Sequence, residues 1–158
     1  MSKQLRSSPE FAAAAAAAAG FGAASGAVDE AAATAFGVNR TDLRIIGALH
    51  RDGPLTAGGI AESCGLSPAA TTTAIQRLVR AGHATRELDS LDHRRVIVSV
   101  APGAARLLEA IYGPVAEAGM DVLDEYGSSE LAMLAAFLRR GEAVQRAQAA
   151  RIVRLAPV

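Results

Sequence analysis

Apolar positions recur at helical spacing along most of this chain, and only a short stretch near its middle reads as strand. At ~100° per residue, Phe11, Phe21, Val28 and Phe36 fall within about a third of a helix circumference. The pattern predicts one long helix over 9–36, with alanine filling the remainder. A second helix is predicted over 41–51, capped by Asn39 or Thr41, with Leu43, Ile46 and Leu49 on one face and Asp52-Gly53-Pro54 as its stop. Thr56 caps a short third helix to about Ser63, and Gly65 supplies a turn. Ser67-Pro68 opens a fourth helix, serine as cap and proline at the first helical position, which ends near Ala81-Gly82.

Polar and apolar residues mix from Ala84 to Asp89, and the β-branched run Val96–Val100 is a strand signal. Ser90–Arg94 is the turn between the two. Pro102-Gly103 opens a fifth helix, with Leu107, Leu108, Ile111, Val115, Ala118, Val122 and Tyr126 as its stripe. Pro114 lies inside it, and a kink or break is expected near Gly113 because the ring clashes with the carbonyl of Ala110. After Gly127-Ser128-Ser129, a last helix carries Leu131, Leu134, Leu138, Val144, Ile152 and Leu155.

Composition narrows the picture. The 158 residues suit one domain or one small domain with appended helices, and are enough for a core without metal or disulfide staples. Half are hydrophobic, but aromatics make up only 4%, so alanine does much of the filling and helices approach closely. The single cysteine excludes an internal disulfide framework and makes a reducing cytoplasm the simplest setting. Lys3 and Arg6 ahead of an alanine run have the outline of a secretion signal, but the run is only weakly apolar and carries phenylalanines at helical spacing. No stretch is expected to reach the ~20 strongly apolar residues of a membrane span.

Formal net charge is zero, yet charge is unevenly placed. Between residues 67 and 95, Arg77, Arg80, Arg86, Arg94 and Arg95 face only Glu87, Asp89 and Asp92, a local excess of +2. Such a bias agrees with a phosphate-binding face.

The fourth helix supplies the matching chemistry. Thr71, Ala74, Ile75 and Leu78 fall on a packing face; Ala69, Ala70, Thr72, Thr73, Gln76, Arg77 and Arg80 fall elsewhere. A helix in the major groove of double-stranded DNA needs small residues near its start and side chains that pair with base edges. Ser67, Ala69, Ala70, Thr72, Thr73 and Gln76 meet that need, while Arg77 and Arg80 suit phosphates. The charged turn Leu91-Asp92-His93-Arg94-Arg95 puts two arginines at a hairpin tip, where they suit a narrow minor groove. Asp92 stands two residues before Arg94, placed to hold its guanidinium.

LSPAATTTAIQRLVRAG, then Arg86, then DHRR followed by VIVSVAPGA resemble the winged helix-turn-helix of MarR-type (multiple antibiotic resistance regulator) transcription factors. The Asp-x-Arg of Asp92 and Arg94 is the most specific element, and the layout of the resemblance extends over the whole chain. It implies a mainly α fold with a small β-wing: an N-terminal dimerisation helix over 1–40, a winged helix-turn-helix DNA-binding domain over 41–101, and C-terminal dimerisation helices over 102–158. It further implies a homodimeric repressor on a pseudo-palindromic operator, relieved by a small aromatic or phenolic ligand or by oxidation. Three positions depart from the pattern. Thr73 stands where many members carry arginine, Thr71 where an aliphatic residue is usual, and Ala101 where a threonine caps the next helix.

Other chemistry is sparse. Cys64, at the end of the third helix, reads as a small core thiol. His50, His83 and His93 are far apart and read as surface or turn residues, not metal ligands. Gly58-Gly59 lies in a helix pattern without the lysine of a phosphate loop. No cofactor or catalytic constellation is expected. The rival reading is a winged-helix protein-interaction module that does not bind DNA.

Overall fold

The computed structural model describes residues 8–90 and 92–155. In chain order it contains α1 (Pro9–Phe36), α2 (Arg40–Asp52), β1 (Leu55–Thr56), α3 (Ala57–Cys64), α4 (Pro68–Arg80), β2 (Ala84–Leu88), β3 (Val96–Val100), α5 (Pro102–Leu123) and α6 (Ser128–Val153). These form two compact units, Met1–Ile111 and Tyr112–Val158.

Local signals set most boundaries of the first unit. Ser8 accepts from the Phe11 amide at 3.2 Å and starts α1. Asn39 accepts from Asp42 N at 2.9 Å to start α2, Thr56 from Gly59 N at 3.1 Å to start α3, and Ser67 from Ala70 N at 3.2 Å to start α4. Each side-chain oxygen satisfies an amide that the first helical turn leaves unpaired. Between α3 and α4 the chain passes through Gly65 at φ 59°, a left-handed conformation that a Cβ disfavours. There Leu66 N reaches Ala61 O at 2.9 Å, and α3 closes in a tight C-terminal cap.

Ile45, Ile46 and Leu49 of α2, Ile60 of α3, Leu78 of α4 and Val98 of β3 are fully buried and form the centre of the core. Each contributes about 1.5–3 kcal/mol relative to an exposed side chain. Around them α2 packs on α1, α3 and β3, and α4 packs on α3 and β2. Ala104 and Leu108, in the first turns of α5, are also buried.

The sheet has three strands, not the two expected. Its order is β1-β3-β2, all antiparallel, with Leu55 opposite Val98 and Thr56 opposite Ile97. A two-residue strand has no periodicity to read; the edge of β3 recruits it. β2 and β3 form the hairpin, from Ala84 opposite Val100 to Leu88 opposite Val96.

α5 runs unbroken from Pro102 to Leu123, with Pro114 inside, so the break considered near Gly113 does not occur. A proline removes one donor from the ladder, and the remaining hydrogen bonds carry the helix past it. In the second unit no described residue is buried, and Val115, Met120, Val122, Leu123, Met133, Phe137 and Leu138 are exposed apolar side chains.

α1 corrects another expectation. By length and composition it is apolar enough to cross a membrane, with mean hydropathy 1.5 over an 18-residue window. Alanine supplies that value by number, not by size. At its C-terminal end Ala32, Ala33 and Phe36 are buried in the first unit, whereas Phe11 and Phe21 are exposed.

Candidate nucleic-acid interface

α4 divides as its sequence pattern predicts. Thr71, Ala74, Ile75 and Leu78 are buried; Ser67, Ala69, Ala70, Thr72, Thr73, Gln76, Arg77 and Arg80 are exposed. Thr71 replaces an aliphatic residue at little cost because its hydroxyl donates to Ser67 O at 2.9 Å, so no polar atom is left unsatisfied. On the outer face the Thr72 and Thr73 hydroxyls donate to Pro68 O at 2.9 Å and to Ala69 O at 3.1 Å.

Arg77, which the sequence suited to phosphate, is engaged within the chain. Its Nε donates to Asp42 Oδ2 and its Nη2 to Asp42 Oδ1, both at 2.6 Å. Asp42 is 1% exposed, and its Oδ2 also accepts from Asn39 Nδ2 at 3.1 Å. A buried carboxylate is costly without a cation, and Arg77 meets that demand. Its hydrogen bonds to Asp42 shift the guanidinium further toward the charged form. Arg77 thus ties α4 to the start of α2. The sequence held a signal for this: Asp42 falls on the 42-45-46-49 stripe of α2, otherwise Ile45, Ile46 and Leu49. An acid on an apolar stripe requires a partner.

Beside this pair lies an open groove of about 620 Å³, lined by Asn39, Arg40, Thr41, Ala69, Ala70, Thr73, Ala74 and Arg77. Arg40 was not singled out from sequence. It is exposed, with only a loose 3.9 Å pairing to Glu30, and it brings a cation alongside the outer face of α4.

The hairpin tip includes Asp92–Arg95; Leu91 lies outside the described residues. Arg95 N donates to Asp92 O and Asp89 N to Arg95 O, both at 2.9 Å, which closes the turn. Asp92 Oδ1 accepts from both Arg94 N and Arg94 Nε at 3.1 Å. The Arg94 side chain is 92% exposed, so this carboxylate orients a guanidinium that otherwise projects into solvent. His93 and Arg95 are exposed beside it.

His83, read as a surface or turn residue, stands in the bend that follows the Ala81-Gly82 turn. It is half-buried; its ring meets Phe36 edge-on at a centroid distance of 5.5 Å, and its Nε2 lies 3.0 Å from Phe36 O. It joins the end of α1 to the entrance of the hairpin. His50 is exposed, and no group of three or more His, Cys, Asp or Glu side chains suited to a metal occurs among the described residues. Cys64 is buried as expected. Burial pushes its thiol up, against the opposing pull of nearby Arg44, whose Nη2 also donates to the Cys64 carbonyl.

Residues 36–95 match the model of the MarR family. Over 123 residues the chain is 32% identical to the uncharacterized HTH-type transcriptional regulator YcgE of Bacillus subtilis (strain 168), covering 78% of this chain and 80% of that protein. The chain belongs to the MarR family. Family members are transcriptional regulators and not enzymes, so the exposed face of α4 and the hairpin belong to a DNA-binding transcriptional regulator. Solved MarR-type structures share the fold. The S. aureus MepR–DNA complex matches with a TM-score of 0.58 at 17% identity, over 79% of this chain and 94% of that one. NadR in complex with 4-hydroxyphenylacetate matches with a TM-score of 0.57 at 23% identity, over 77% and 88%. The architecture is therefore mainly α with a small β-wing, the wing being β2, β3 and the Asp92–Arg95 turn.

Proposed function

We propose that this MarR family regulator is a cytoplasmic homodimeric repressor. It holds two α4 helices in successive major grooves of a pseudo-palindromic operator, with the two wings in the flanking minor grooves. The observation that carries this reading is Arg94: an exposed guanidinium, held at the hairpin tip by Asp92, on the same unit as the small-residue face of α4. Ser67, Ala69, Ala70, Thr72, Thr73 and Gln76 face bases and sugars. Arg80 and Arg95 take phosphates, Arg94 enters the minor groove, and Arg77 acts chiefly by fixing α4 on α2.

The dimer reading draws on the apolar side chains left exposed on α1, α5 and α6, such as Phe21, Val115, Met133 and Phe137, because large exposed apolar surface favours association. The ligand reading, release by a small aromatic or phenolic acid, draws on NadR, solved with 4-hydroxyphenylacetate. Titration of the full chain with duplex DNA tests both: binding with two chains per duplex, weakened by a phenolic acid, is expected. One chain per duplex would remove the dimer, and affinity indifferent to phenolic acids would remove the ligand.

A further inference from the structure

We infer that the Ala69–Gln76 face of α4 prefers adenine and thymine, so that the operator half-site carries A·T pairs where this face meets the major groove. The inference rests on α4 being the groove-facing helix. It follows from which donors and acceptors that face has free.

In the major groove guanine offers two acceptors, N7 and O6, and is read by a donor fork, above all arginine or lysine. The exposed face of α4 from Ala69 to Gln76 contains no cation. Arg77 follows; its Nε and Nη2 are on Asp42 at 2.6 Å, which ties the guanidinium to α2 and leaves only its Nη1–Nη2 end for an acceptor, beyond the Ala69–Gln76 face. Arg80 lies one helical turn from Gln76 and belongs with the backbone.

The groups that remain favour the other pair. The Thr72 and Thr73 hydroxyl protons are committed to Pro68 O and Ala69 O, so their outward lone pairs accept. Adenine N6 and cytosine N4 are the donors they meet in the groove. Gln76 carries one donor and one acceptor, the pattern that matches adenine N6 and N7 together. Ala69 and Ala70 present methyl groups, which pack on the thymine methyl. A G·C pair would set N7 and O6 against the accepting threonine oxygens and the alanine methyl groups, and an unpaired acceptor desolvated in an interface weakens binding. The wing leans the same way, because an exposed Arg94 suits the narrow minor groove of A-tracts.

The test is selection of duplexes from a random pool with the full-length protein and with Thr73→Arg. The wild-type pool should fix A·T pairs at the central major-groove positions of each half-site. Exchanging the pair opposite Gln76 for G·C should weaken binding at least fivefold, a difference that Gln76→Ala abolishes. Thr73→Arg, which adds a free guanidinium to the exposed face, should gain a G·C pair at one position per half-site. A wild-type pool with G·C fixed at those positions overturns the inference and leaves DNA binding intact. A pool that is never enriched overturns both this inference and the role given to α4.

Discussion

Arg77 on α4 grips Asp42 on α2 through two hydrogen bonds of 2.6 Å, and Asp42 lies in the core. Arg77 was expected to meet phosphate; in the folded chain it also ties α4 to α2. The two residues are 35 positions apart, so the angle of α4 on α2 depends on a long-range charge pair as well as on Ala74, Ile75 and Leu78. Breaking such a pair leaves an uncompensated buried charge. Because Arg77 is itself 45% exposed, the cost falls at the low end of the range, and Arg77→Met should lower unfolding stability by about 2–3 kcal/mol. Urea unfolding measures it. Asp42→Asn with Arg77→Met should recover part of the loss, and a single variant as stable as the parent would dismiss the strut.

The wing makes the opposite prediction. Arg94 is almost entirely in solvent and contributes little to folding. Arg94→Ala should leave urea unfolding unchanged while lowering operator affinity at least tenfold, about 1.4 kcal/mol. Asp92→Ala should cost less than Arg94→Ala, since it frees the guanidinium without removing it. Equal operator affinity for Arg94→Ala and wild type would take the wing out of recognition.

The contrast between these arginines marks how far the sequence could be read. Caps and turns are local, so Thr56, Gly65, Ser67-Pro68 and Pro102 announced the helices they bound, and the VIVSV run announced β3. Asp92 and Arg94 are two residues apart, and their hydrogen bond followed from that spacing. The partners of Arg77 and His83 were missed because Asp42 and Phe36 are distant in sequence and only folding brings them near. β1 was missed because two residues carry no pattern, and the donor commitments of Thr72 and Thr73 depend on rotamers that residue identity does not reveal.

Cys64 gives a pH prediction. Burial raises its thiol pKa in the folded chain, so the folded state keeps a proton that the unfolded chain releases. Its contribution is fully present below the ordinary thiol value of about 8.5 and is lost as pH rises above it toward the folded value. Unfolding stability should therefore decline on the alkaline side of that value, and Cys64→Ala should flatten the decline. Rapid alkylation of the folded protein at neutral pH would contradict the buried, protonated thiol.

His83→Ala removes an edge-on ring contact and the hydrogen-bonding group beside the Phe36 carbonyl. A loss of about 1–2 kcal/mol is expected, together with faster amide exchange at Val38, which caps α1 through Ala33 O. Unchanged exchange there would mean that His83 does not secure the end of α1.

Salt titration of operator binding tests the central claim, that exposed arginines on α4 and the wing carry this regulator onto DNA. Anisotropy of the selected duplex with full-length protein should show affinity falling log-linearly between 50 and 200 mM salt, by about 0.9 per neutralised phosphate. Arg95→Ala should make the slope shallower by about two in a dimer that loses one phosphate contact per wing. Affinity independent of salt, or no binding to any duplex, would contradict the account and favour a winged-helix protein-interaction module.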